Sequence, residues 1–289
     1  MGTGDTGEQI ICRNLTRFYK SLPINDKMAI TTLKRPKSKR LIRDPTQSKR
    51  IDDAMIKAMA KIIDAYISDT LATVTQKWPA ALAERELSAL SELMAAFANQ
   101  IPPETMQTVA AEFIEKGYMQ GIMFANQQME QMGLQIQVGM GPADSGMMDV
   151  LRDRSKLHLT NLAADLQAKI GTILTDGIAQ GKSLTEIRDD IIQAGEVAKR
   201  RAELIARTEI MNAVNEAAKE RYKRLGITHF EWITARDERV CNKCEPLDGQ
   251  VYLEKNLPEG GPPLHPQCRC ALNPAFKDEK PLNIWDYKL

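Results

Sequence analysis

The sequence predicts an α+β protein: a mainly helical N-terminal bundle, then further long helices, then a small cysteine-rich sheet at the C-terminus. Three observations carry this. Apolar residues recur at three- and four-residue spacings from Ile51 to about Leu225. Strand-like sequence appears only after Gly226. Four of the five cysteines and one of the three histidines fall within residues 241–270.

At 289 residues and 43% hydrophobic content, the chain can bury a substantial core in one large or two modest domains. No apolar run approaches the roughly 20 residues of a membrane span, and the N-terminal stretch has no signal-peptide core. The expectation is a soluble protein of a cytoplasm, without a membrane partner. The net charge of +1 is unevenly distributed, since residues 1–50 hold twelve Lys or Arg against four Asp or Glu. Its centre, "LKRPKSKRLIR", contains Lys34, Arg35, Lys37, Lys39, Arg40 and Arg43, broken by Pro36. Such a run repels itself and cannot pack inward, so residues 1–50 are expected to form a solvated, extended basic arm. It suits contact with nucleic acid or with an acidic protein face.

A helical domain is expected over 51–132. Ile51, Met55, Met59, Ile62, Ile63, Tyr66, Ile67 and Leu71 mark a first helix, and Pro79 restarts the chain. "AALAERELSALSELMAAFANQ" forms a second helix ending before Pro102, and "ETMQTVAAEFIEKGYMQGIMFANQQMEQM" a third. Residues 133–146, rich in Gly and Gln, read as a linker or exposed loop and mark the domain boundary. The second domain covers 147–289. Asp144 is placed as the N-cap of a long helix ending near Gly181. Ser183 and Glu186 then form a capping box that opens a short helix, and a separate helix runs from about Val197 to Leu225. The strands are "HFEWIT", "QVYL" and "CRCAL". The methionines between 119 and 148 read as core filler, and His158 and His229 as structural or surface residues.

The cysteine pattern is Cys241-x2-Cys244, then His265-x2-Cys268-x-Cys270. A two-residue spacing lets a tight turn aim both sulfurs at one ion, and a second, distant pair completes a tetrahedron. Zinc takes four ligands, so one of these five candidates is spare. Cys268 and Cys270 would share a face of an extended strand, so direction does not choose between them. Disulfides, or unliganded buried thiols, are the competing readings; a cytoplasmic origin weighs against disulfides. Five sulfur and nitrogen candidates favour a saturated, structural zinc over a catalytic one with a position left for water. Asp237, Glu238, Glu245 and Asp248 read as loop charges, and Asp248-Gly249 as a turn.

"IARTEIMNAVNEAAKERYKRLGI", "FEWITARDERVCNKC", "LDGQVY" and "PPLHPQCRCALNP", in that order over roughly residues 150–275, resemble the phage Mu F-like head morphogenesis family, the minor head proteins of tailed bacteriophages. By position the resemblance highlights Arg207, Thr208, Glu209, Asn215, Trp232, Asp237, Asp248, Gly249 and Arg269 besides the Cys/His set. Trp232 is expected to anchor the core, and Arg207 and Glu209 to form ion pairs that fix the helix to the sheet. The resemblance implies a minor capsid protein, not an enzyme, carried inside the head near the portal and assisting capsid assembly, DNA packaging or DNA delivery. Its implied partners are the portal or major capsid protein and packaged double-stranded DNA, bound without sequence preference. A zinc-supported nuclease or other hydrolase delivered with the DNA is the alternative; His265 is itself a candidate ligand, which leaves no evident histidine pair for such chemistry.

Overall fold

The computed structural model describes residues 44–84, 91–93, 95, 103–133 and 140–275. The basic cluster at 34–43, and most of the helix expected over 80–100, lie outside the described residues. The architecture is the expected α+β arrangement, with four long helices among the described residues followed by a three-stranded antiparallel sheet. The helices are α1 (Lys49–Glu84), α2 (Pro103–Gln131), α3 (Pro142–Gln180) and α4 (Leu184–Arg224). Strands β1 (His229–Ile233), β2 (Val251–Leu253) and β3 (Ala271–Ala275) pair in the order β2-β1-β3. Among the described residues no helix is long and apolar enough to cross a membrane.

Two expected helix breaks are absent. Helix α1 runs through Pro79 to Glu84. Pro79 is exposed, and the adjacent Trp78 is buried, its indole N–H donating to the Lys182 carbonyl at 3.3 Å. The short helix after Ser183 and the one expected from Val197 are a single helix, α4, of 41 residues. Gly195 does not break it. A Cβ there would sit 2.8 Å from Ile67 Cγ1, so this glycine lets α1 and α4 approach closely.

Helix α4 packs on α1, α2 and α3 in turn. The main core is built from all of them: Met59 and Ile63 of α1, Met106 of α2, Leu159 and Leu174 of α3, and Ile191 and Ile210 of α4 are all buried in one cluster. Helices on both sides of the expected 133–146 linker therefore share a core, and α3 already begins at Pro142, inside that stretch. At Gly121 an added Cβ would lie 2.3 Å from the Val214 carbonyl oxygen, which marks a close approach of α2 to α4.

The capping box is as read from the sequence: Ser183 N–H donates to Glu186 Oε2 at 2.8 Å and Glu186 N–H to Ser183 Oγ at 3.3 Å. Gly181 and Gly226 both sit beyond helix ends with φ of +67° and +74°. Asp144 is not the N-cap of α3. Gly141 holds that place, and Asp144 lies three residues in, accepting from Gly141 N–H at 2.7 Å. It is buried because it also receives the Tyr118 hydroxyl of α2 at 2.8 Å and the Arg224 guanidinium of α4 at 2.7 Å. One carboxylate thus joins the start of α3 to two other helices. These donors bring its pKa below the usual carboxylate range despite the opposing effect of burial.

Candidate metal centre

A smaller core beneath the sheet positions the Cys/His segment. Phe230 and Trp232 of β1 are fully buried with Tyr222 of α4 and Leu272 of β3, and Cys244, Cys268 and Cys270 belong to the same cluster. Cys241 and Cys244 lie on the long connection from β1 to β2, His265, Cys268 and Cys270 on the one from β2 to β3. Strand β3 starts only at Ala271 and runs to Ala275, so the third strand lies three residues beyond the expected "CRCAL" and both cysteines precede it.

The Cys241–Cys244 segment is a tight turn. Cys244 and Glu245 N–H both donate to the Cys241 carbonyl, at 3.0 and 2.9 Å. His265 Nε2 lies 3.2 Å from Cys241 Sγ and 3.2 Å from Cys244 Sγ, and Cys244 Sγ lies 3.8 Å from Cys268 Sγ. Donors around a tetrahedral zinc, with Zn–S about 2.3 Å and Zn–N about 2.0 Å, stand roughly 3.5–3.8 Å apart. The observed separations are those of donors around one ion, slightly contracted on the histidine side. Two donor groups overlap: Cys241, Cys244 and His265 in one, and Cys244, Cys268 and Cys270 in the other, each within 4.8 Å. All four cysteines are free thiols. The structure therefore places the five sequence-derived candidates in two adjoining groups linked by Cys244, and these donor types suit zinc or another thiophilic cation.

The electrostatics of the ion-free cluster are divided. Burial, with the neighbouring Cys268, pushes the Cys244 thiol up to about 12. Cys268 is brought down to about 5, chiefly by a hydrogen bond from Cys270, then by backbone N–H groups and His265, against burial. Cys270 is pushed well up by the same bond and by burial. Burial opposes a lowered Cys241 pKa, but the N–H groups of Cys244 and Lys243 outweigh it. Only some of the thiols can ionise together, because thiolates repel at this separation. A bound cation removes that conflict, and its binding must release protons.

The remaining motif residues hold the frame around the cluster. Asp237 accepts both Arg269 Nη1 and Nη2 at 2.6 Å, a two-pronged bridge between the segments that carry the two halves of the donor set. Arg269 holds the Asp237 carboxyl well below the usual carboxylate range. Asp248 accepts Thr234 N–H at 2.8 Å and Arg236 Nε at 2.8 Å. Gly249, at φ +77°, donates to the Trp232 carbonyl at 2.7 Å, so the turn needs the left-handed backbone that glycine allows. Asn215 Nδ2 of α4 donates to the Cys270 carbonyl at 3.1 Å.

Arg207 and Glu209 do not fix α4 to the sheet. Arg207 pairs with Glu203 of the same helix at 2.9 Å. Glu209 is 1% exposed and faces α3, where Arg154 Nε and Nη2 both donate to its Oε2 at 3.1 Å and His158 Nδ1 lies 3.1 Å from its Oε1. A buried carboxylate needs such partners, and they come from the neighbouring helix rather than the strands. Sequence reading did not single out Arg154, while His158, read as a structural or surface residue, stands beside Glu209; their i, i+4 spacing on one helix face was the available signal.

Residues 168–273 match the family described as phage Mu protein F like protein, which bears out the resemblance read from the motifs. An uncharacterized protein of Methanocaldococcus jannaschii is 27% identical over 133 residues, 46% of this chain. That stretch is 21% of the archaeal protein, so the chain spans only part of that relative's length. No solved structure matches the chain.

Proposed function

We propose, from the premise that residues 168–273 form a phage Mu protein F like region, that this chain is a minor head morphogenesis protein of a tailed bacteriophage. It acts inside the capsid near the portal and assists capsid assembly, DNA packaging or DNA delivery. The observation that carries the structural part of this reading is that the five donors gather into two groups that share the buried Cys244, braced by Asp237–Arg269. Four of those donors, holding zinc, would lock the two long connections of the C-terminal sheet into one rigid unit. Such a saturated centre supports a stapling role rather than hydrolysis.

The arm carrying Lys34, Arg35, Lys37, Lys39, Arg40 and Arg43 then contacts packaged double-stranded DNA without sequence preference, through lysine and arginine to phosphate. The portal or major capsid protein is the protein partner. Replacing the six basic residues by glutamine tests the DNA part. The altered protein is expected to bind duplex DNA more weakly, with a shallower dependence on salt; an unchanged salt series would remove it. Recovery of the chain in portal-containing particles tests the location, and a metal-dependent DNA cleavage assay tests the non-enzymatic role.

A further inference from the structure

We propose that Cys270 is a reserve ligand. The centre holds its ion through Cys241, Cys244, Cys268 and His265, and Cys270 takes the place of His265 when the imidazole leaves. This rests on the metal reading of the cluster given above.

Stoichiometry poses the question, since five donors surround a centre that needs four. The distances suggest the division. His265 Nε2 stands 3.2 Å from both sulfurs of the Cys241–Cys244 turn, and Cys268 Sγ stands 3.8 Å from Cys244 Sγ, the sulfur common to both donor groups. The Cys270 sulfur remains, and it lies within 4.8 Å of Cys244 and Cys268. Because Cys244 belongs to both donor groups, an ion passes from one set to the other by a small displacement, never losing its sulfur ligands together.

The two exchanging residues differ in how they are held. Cys270 is 3% exposed, sits beside Trp232, and has its carbonyl fixed by Asn215. His265 is half-buried, and its other ring nitrogen meets the carbonyl of its own neighbour, Pro266, at 2.8 Å. The next residues, Pro266 and Gln267, are exposed, and Gln267 holds φ at +63°, a left-handed conformation unfavourable for a residue that carries a Cβ. Pro266 also borders a cavity of about 200 Å³ next to His158 and Thr208, which gives this loop room to move. The histidine is therefore the ligand that can depart, and Cys270 the one that waits in place.

The exchange balances without an oxidant or reductant. Cys270 forms a metal–sulfur bond and gives up its thiol proton, the metal–nitrogen bond to His265 breaks, and the released imidazole can accept that proton. Coordination stays at four, and the centre gains one negative charge. Softer cations favour the all-thiolate set. The staple would thus survive a movement of the loop at 264–267.

The test uses the full chain, reduced and anaerobic, with Co²⁺ as the probe and visible absorption and bound metal as readouts. Cys270→Ala is expected to bind one cobalt with the spectrum of the unaltered chain. His265→Ala is expected to keep one cobalt, with bands moved to longer wavelength as a fourth thiolate enters. The double variant should bind at least tenfold more weakly. The proposal is overturned if Cys270→Ala changes the cobalt spectrum, or if His265→Ala binds as weakly as the double variant. Cadmium makes the same decision without altering His265: a ¹¹³Cd shift in the all-sulfur range that is lost in Cys270→Ala supports the exchange, and identical shifts in both proteins overturn it. An unaltered chain that takes up no metal sinks the metal reading itself, and this inference with it.

Discussion

The helical bundle and the C-terminal sheet solve the same problem with different means. Among the described residues the bundle has four long helices, of 29 to 41 residues, sharing one large apolar core. Its polar interior contacts, such as Asp144 with Tyr118 and Arg224, add orientation to a unit already held by burial. The sheet has strands of three to five residues and two long connections with only short 3₁₀ turns. A sheet that small has little apolar area of its own, and it relies on Trp232, on the Asp237–Arg269 bridge and on the Cys/His cluster. The contrast teaches that the bundle should be sensitive to shape, and the sheet to chemistry.

The largest effects should come from residues where each unit has no slack. Trp232→Ala removes the fully buried indole on which the donor segments rest, and is expected to cost about 3–5 kcal/mol by denaturant unfolding. Gly121→Leu forces a side chain into the Val214 backbone, and should cost about 3 kcal/mol while leaving metal content unchanged in whatever protein folds. If Gly121→Leu instead strips the metal, the two units are less independent than the contrast holds.

Next in size is the buried ion-pair group between α3 and α4. Arg154→Ala leaves Glu209 buried with only His158, and is expected to destabilise by about 3 kcal/mol. Glu209→Gln should cost less, about 1–2 kcal/mol, because the Arg154 and His158 side chains it abandons are partly exposed. Equal costs for the two would show that Glu209 is not the buried charge that the geometry makes it.

The smallest effects are on pH dependence, and they separate the two regions by sign. Burial, then Asp44, raises the Asp52 carboxyl to about 7 against the pull of Arg207. A raised carboxyl contributes stability present below its unfolded pKa and lost as pH rises through about 7. Asp52→Asn should therefore stabilise the bundle by about 1 kcal/mol at pH 8 and have no such effect at pH 4. Asp237 is shifted the other way by Arg269, so its contribution is present at neutral pH and lost as pH falls below the ordinary carboxylate range. Thermal unfolding of Asp237→Asn should converge on that of the unaltered chain in acid and diverge from it at pH 7.

What sequence could reveal follows the same division. The amphipathic spacings identified helices, and the cysteine spacing identified a donor set that the structure closes within a few ångström. Both are local patterns fixed by backbone geometry. The continuity of α4 was not legible, because Gly195 serves a contact with Ile67, more than a hundred residues away. Nor was the partner of Glu209, since Arg154 and His158 stand 55 and 51 residues from it and are brought near by helix packing. Asp144 looked like a cap from its position, but its burial beside Tyr118 and Arg224 comes from the tertiary fold.

The most direct measurement is metal content and thiol state on anaerobically purified protein, comparing the unaltered chain with Cys241→Ser. The account predicts close to one zinc per chain with reduced thiols, and loss of that zinc in Cys241→Ser. A metal-free chain whose cysteines are paired as disulfides would contradict it, and the C-terminal unit would then be held by covalent bridges instead.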